Sequence, residues 1–317
     1  MSRPTVLYFG ASRGVAFAAY TSLAAKRPDL HHILLIRSPS RFKESEEYKS
    51  LPADVIERST YFQGDAHSEE NIAEVLKVAG PDLHGVVSSI GFTPPSDLAG
   101  TWNVLVHGMT PPDLCCRALF ILISELAKVY PTLTTKPKFV LCSSMGMGKV
   151  PHQALAFGLG PFYTIALTPP HVDKIGMELI MEHAILPSTD ASLPRLFPDF
   201  SEVPSHVLTA DKFATLPPPF IPPTDVLVLR PALLHDGVPK GWSTTVVLPE
   251  DGAKTKVKGD DGYRVIQEGL GPLESKGKSC YSVSRKDVGD FIAIMLSGGK
   301  DKEGSEVWWG RQPVLAY

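Results

Sequence analysis

Two glycines four residues apart, Gly10 and Gly14, end one apolar run and open a helix-like one, a spacing that could hold a phosphate. Thr5–Phe9 reads as a short strand and Val15–Ala25 as a helix of small residues. A tight turn between them needs Gly10, close approach of a pyrophosphate needs Gly14, and Ala16 lets the helix lie near a sheet. Backbone N–H groups at the helix start then supply donors to an anion. Gly10, Ser12, Arg13, Gly14 and Val15 are therefore candidate nucleotide contacts. An ordinary βα turn without a ligand is the plain alternative.

The end of the next strand, expected at His32–Ile36, discriminates between dinucleotides. Folds that take NAD place an acid there to hold the ribose hydroxyls. Here Arg37, Ser38 and Arg41 follow the strand, and no acid appears before Glu44. A carboxylate would repel a 2′-phosphate, whereas guanidinium pairs with it through two parallel hydrogen bonds. Arg13 can reach the same group. The pattern points to NADP(H) rather than NAD(H); the bland reading is that Arg37 and Arg41 only solvate a strand end.

The elements that must position these residues alternate along the chain. Strands are expected at Ser59–Phe62, Gly85–Ser89, Lys138–Ser143, Asp225–Leu229 and Pro313–Tyr317. Helices are expected at Glu69–Val78 with a Ser68 cap, at Pro112–Val129 with proline in its first turn, at His171–His183, and at Arg285–Leu296 with a Ser284 cap. Short apolar strands separated by helices indicate a mostly parallel sheet of about seven strands covered on both faces. Residues 1–317 read as one domain, with a Pro-rich insertion at 186–224 and a C-terminal substrate-side segment at 232–317. Of the 29 prolines, twenty lie between Pro94 and Pro231, so the excess is concentrated in the loops of the second half. Leu193, Leu196, Phe197, Phe200, Phe213, Phe220 and Ile221 give the insertion apolar residues to pack, which favours a lid or pocket wall over a solvated linker.

Composition excludes several classes. The chain has 317 residues, 43% of them apolar, which suffices for a core without a metal or disulfide staple. A net charge of −3 argues against nucleic acid or an anionic membrane as the main partner. Cys115, Cys116, Cys142 and Cys280 form no CxxC pair, and no HExxH or close Cys/His cluster supports a metal. The apolar stretch Leu114–Leu126 is interrupted by Arg117 and Glu125, so no membrane span is expected, and the N-terminus has no signal-peptide pattern. A cytoplasmic protein with a small-molecule partner is the expectation; a homodimer is left open.

In their order along the chain these features resemble the atypical short-chain dehydrogenases/reductases, the NmrA-like and NAD(P)-binding-domain reductases. Gly10–Gly14 resembles the TGxxxGxG turn, with Phe9 and Ala16 at its outer positions. Gly64-Asp65 resembles the acid after the third strand that contacts adenine, and Ser88-Ser89-Ile90-Gly91 stands at the Asn-Ala-Gly place. Cys142-Ser143-Ser144, Arg230-Pro231-Ala232 and Ser284-Arg285-Lys286-Asp287-Val288 resemble the later serine, RP and SRxDV elements. The resemblance implies a Rossmann-type doubly wound α/β fold and adds Asp65, Ser89, Gly91, Ser143, Lys174 and Pro231 to the cofactor contacts.

It also implies a catalytic Tyr-x-x-x-Lys pair, in which the hydroxyl gives a proton and the ammonium lowers its pKa. None of the nine tyrosines has Lys four residues on; Lys174 is well placed, but Pro170 occupies the tyrosine position. His171, Tyr163 and Ser144 are the candidate replacements, with Lys174 beside them. Lys174 could instead hold only the nicotinamide ribose. The expected activity is NADPH-dependent reduction of a small or medium apolar carbonyl or enone, in a pocket walled by residues 92–112, 145–170 and 186–224. The alternatives are a non-catalytic NADP(H) sensor or scaffold, and a redox-neutral isomerase or cyclase on the same fold.

Overall fold

The computed structural model describes residues 3–92, 108–145, 168–188, 197–245, 263–267, 282–298 and 308–317. Among these residues the centre is a nine-stranded sheet. Strand β1 (Thr5–Phe9) is flanked by β2 (His31–Ile36) and β4 (Leu83–Ser88); β3 (Ser59–Gln63) lies outside β2. Beyond β4 come β5 (Lys138–Cys142), β6 (Val226–Pro231) and β11 (Pro313–Ala316). These seven are parallel, as the sequence implied, and run in the order β3-β2-β1-β4-β5-β6-β11. They match the expectation of a mostly parallel sheet of about seven strands. An antiparallel edge is added by β9 (Tyr263–Gln267) and β8 (Trp242–Thr245), and β7 (Leu233–His235) pairs with β10 (Ser282–Ser284) in a separate two-stranded sheet.

The central strands are buried along nearly their whole length, which is why they read as continuous apolar runs rather than alternating ones. One face carries α1 (Gly14–Lys26), the short helices α2 (Pro39–Glu44), α3 (Glu46–Lys49) and α4 (Ala53–Glu57), and α9 (Arg285–Leu296). The other carries α5 (Glu69–Ala79), α6 (Leu114–Val129) and α7 (Thr168–Ala184). The expected caps are present: Ser68 accepts the N–H of Asn71, and Ser284 that of Asp287.

Helix α6 corrects the sequence reading. It begins at Leu114 with Asp113 as its N-cap, so Pro112 precedes the helix instead of occupying its first turn. Asp113 makes no side-chain capping bond. Its first N–H groups find their acceptor on another helix: Asp173 of α7 accepts the N–H of Cys115 at 2.8 Å and of Cys116 at 2.8 Å. The described part of the insertion packs over α6 and α7, with Val203, Val207, Leu208, Leu216 and Ile221 buried against them. It includes the four-residue helix α8 (Ala210–Phe213), whose Phe213 stacks edge-on against His183. Leu193 and Leu196 lie outside the described residues.

Helices α1 and α9 are packed backbone to backbone. A Cβ added at Gly289 would fall 2.5 Å from the Ala18 Cβ, so only glycine fits there. Val288, Phe291 and Ile292 are fully buried beside it, each stabilising the fold by roughly 1.5–3 kcal/mol.

Candidate functional site

Strand register brings the predicted cofactor residues to one edge. Phe9 pairs with both Leu35 and Ser88, Ser88 with Leu141, and Cys142 with Leu229. The segments that begin at Gly10, Arg37, Ser89, Ser143 and Ala232 therefore leave the same, C-terminal edge of the sheet. Asp65 follows Gly64, whose N–H donates to Ile36 O. β1 lies between β2 and β4, where the strand order reverses, and ligands of open α/β sheets bind at such a crevice.

Gly10 and Gly14 both have positive φ, 76° and 75°. At Gly10 the close neighbour is protein: a Cβ would meet Ser89 O at 2.6 Å. At Gly14 a Cβ would meet, among the described residues, only Arg285 Cδ at 3.9 Å, so the turn is open on that side. Among the described residues no side-chain capping bond is made at the start of α1, and no acid stands in its first turn. Ser12 and Arg13 are exposed, and Val15 and Ala16 are buried beneath them. Arg37, Ser38 and Arg41 are exposed at the end of β2; the Ser38 and Ser40 hydroxyls are 3.3 Å apart. Asp65 is exposed, and its carboxylate accepts the N–H of His67 at 2.9 Å.

Across the crevice, α7 places Lys174 at the end of β5. Its ammonium donates to Cys142 O at 3.1 Å and Ser143 O at 3.3 Å, which occupies two of its three donors. Beneath it the Cys142 thiol is pushed up by burial, against the pull of Lys174 and a hydrogen bond with Ser89. Ser143 and Pro231 are buried, and Ser144 is half-buried with its hydroxyl on Met145 O at 3.2 Å. His171 is half-buried in the first turn of α7, three residues before Lys174 and on the same face of the helix. Gly91 is exposed. Tyr163 lies outside the described residues, as do positions 93–107 and 146–167 of the expected pocket walls. A hollow of about 370 Å³ lined by Arg3, Thr5, His31 and Asp82 opens at the opposite edge of the sheet, away from the glycine turn.

Two buried polar arrangements fix this geometry. Asp173 is fully buried, and burial pushes its carboxyl above the usual carboxylate range despite the backbone N–H groups it accepts. One turn on, Glu178 takes the Arg230 guanidinium on both oxygens, at 3.1 and 2.6 Å, with both side chains out of solvent. This pair ties α7 to β6 just before Pro231. Sequence reasoning gave neither acid a role, because both partners are distant in the chain. It likewise quoted Arg285 in a motif without placing it at the glycine turn.

Cys115, Cys116 and Cys142 are buried and unpaired, with thiols raised by burial. Among the described residues no group of His, Cys, Asp and Glu could hold a metal, and no helix is long and apolar enough to cross a membrane.

No family model and no curated protein matches the chain. Solved structures do resemble it. A Rossmann-fold NAD(P)-binding family protein from Shigella flexneri is 13% identical, with 99% of this chain and 93% of that one covered and a TM-score of 0.44. A short-chain type dehydrogenase/reductase from Mycobacterium ulcerans is 13% identical over 99% and 88% of the two chains, with a TM-score of 0.47. A dehydrogenase/reductase from Sinorhizobium meliloti 1021 is 12% identical over 99% and 94%, with a TM-score of 0.45. Likeness at this level transfers no residue role. By its own strand order and the reversal beside β1, the chain has a Rossmann-type doubly wound α/β fold.

Proposed function

We propose that the chain is an NADPH-dependent oxidoreductase that reduces a small or medium apolar carbonyl or enone. The observation that supports this best is the open turn at Gly14 beside an uncapped α1, with Arg37 and Arg41 at the end of β2 and no acid there before Glu44. That chemistry fits a dinucleotide with a 2′-phosphate. Gly10, Ser12, Arg13, Gly14 and Val15 would hold the phosphates, Arg37, Ser38 and Arg41 the 2′-phosphate, and Asp65 the adenine side. Ser89, Gly91, Ser143, Lys174 and Pro231 would line the nicotinamide half. When bound, the cofactor supplies hydride; the chain's task is orientation and a proton source. His171 carries an imidazole, the side chain most often used for proton transfer, and stands on the face of Lys174, so it is the preferred donor over Tyr163 and Ser144.

The test is fluorescence titration with NADPH and NADH, followed by NADPH oxidation over a panel of aldehydes, ketones and enones. Turnover on an apolar carbonyl or enone supports the reading; tight NADPH binding without turnover on any of them overturns the enzymatic part. That second outcome would favour a sensor or scaffold. Pro170 at the tyrosine position and the Lys174 ammonium engaged with two main-chain carbonyls are what favour this reading.

A further inference from the structure

From the packing of α9 against α1 we infer that Arg285 is the cation that contacts the pyrophosphate of the dinucleotide, with Asp236 as its internal competitor. The inference rests on the dinucleotide reading above and names a residue outside it. Arg285 is the first residue of α9, and its Cδ bounds the open side of Gly14 at 3.9 Å from where a Cβ would stand. The guanidinium, one bond further on, is about a third exposed and forms a 2.9 Å ion pair with Asp236, whose side chain is 84% exposed.

Both partners are rigidly presented. Gly289 against Ala18 leaves α9 no room to slide on α1. Asp287 is buried and accepts the Ser284 hydroxyl at 2.9 Å, the N–H groups of Lys240 and Gly241 at 3.0 and 2.9 Å, and the Tyr317 hydroxyl at 2.6 Å. It thereby fastens the segment after β7, which contains Asp236, to the start of α9. The pairing of β7 with β10 holds the same two segments from the other side. A five-donor fork is thus anchored beside the turn, satisfied on one side by a solvated carboxylate that a better-placed phosphate can displace. Arg37 follows β2, on the other flank of β1, so the two arginines address different phosphates: Arg37 the 2′-phosphate, Arg285 the bridge common to NADPH and NADH.

The test is equilibrium titration of the full chain and its variants with NADPH, NADH and adenosine 2′-monophosphate, with thermal melts to confirm folding. Arg285→Ala is expected to weaken NADPH and NADH by a similar factor, about tenfold or more, and to leave adenosine 2′-monophosphate unchanged. Arg37→Ala is expected to weaken NADPH and adenosine 2′-monophosphate only. Asp236→Asn, at an exposed position, is expected to tighten both dinucleotides by about threefold, the loss of a competing ion pair of surface strength. Wild-type affinity of Arg285→Ala for both dinucleotides overturns the inference alone, as does a loss confined to NADPH. Weaker or unchanged binding by Asp236→Asn overturns the competition. A wild-type chain that binds neither dinucleotide overturns the underlying reading and this inference together.

Discussion

The Asp173 carboxylate of α7 caps α6 from outside, accepting the Cys115 N–H with both oxygens at 3.0 and 2.8 Å. One residue later, Lys174 reaches the carbonyls at the end of β5. The position of Lys174 is therefore set by a bond made through its neighbour.

Asp173→Ala leaves buried N–H groups at Cys115 and Cys116 without their acceptor. The expected cost is about 2–4 kcal/mol of unfolding free energy, read as a shifted urea midpoint. Asp173→Asn keeps an acceptor oxygen and is expected to lose about half as much. Equal stability of Asp173→Ala and wild type would show that the cap is dispensable.

Removing one member of the Glu178–Arg230 pair strands the other charge in the core. Glu178→Ala is expected to cost about 3–5 kcal/mol, whereas the double variant Glu178→Met/Arg230→Met is expected to recover most of that loss. Denaturant titration of the three proteins measures the difference; a double variant no more stable than Glu178→Ala would mean that the pair adds net stability.

Cofactor preference depends on the end of β2. Arg37→Asp is expected to lower NADPH affinity by tenfold or more while NADH affinity holds or rises, because a carboxylate repels the 2′-phosphate and accepts ribose hydroxyls. Unchanged NADPH affinity in this variant would refute the assignment of Arg37.

His32 is fully buried, with Nδ1 3.1 Å from the Tyr8 hydroxyl, and burial together with Arg58 pushes it down to about 3. Unfolded, it titrates near 6.5. Between about pH 6.5 and 3 the unfolded chain binds a proton that the folded chain refuses, so this contribution is complete above pH 6.5 and lost as pH falls. The limiting slope is about 1.4 kcal/mol per pH unit. Burial also lowers His31 and His84, which add to the slope. Urea midpoints of wild type and His32→Phe at pH 7, 6 and 5 should show a shallower decline in the variant; parallel declines would exclude His32 as a source.

Local signals explain what the sequence made legible. Ser284 and Ser68 announce their helices because each cap bonds three residues on. The glycine turn is equally local, and β1, β2 and β6 stand out as unbroken apolar runs. The start of α6 was misplaced because its cap comes from Asp173, far along the chain, while the nearby Pro112 imitates a helix start. β7 and β10 are three residues each and exist only through pairing with one another. α2, α3 and α4 were passed over because each is no longer than six residues and has at most one buried side chain. At the site, Arg285 stands out in the sequence as part of a motif, but its place is hidden for the same reason as that of Asp173: helix packing, invisible to spacing, brings it to Gly14.

The last strand has a consequence for synthesis. β11 fills the slot between β6 and β9, so until Pro313–Ala316 arrive β6 has no partner on that side. Its Val226–Leu229 run is apolar along its length, and such an edge recruits other strands. About eighty residues separate the two strands, an interval of roughly ten seconds at ordinary elongation rates. The nascent chain thus emerges with its glycine turn and first five strands complete and a sticky rim beside them. Yield should depend on chaperones or slow growth more than the finished protein's stability would suggest.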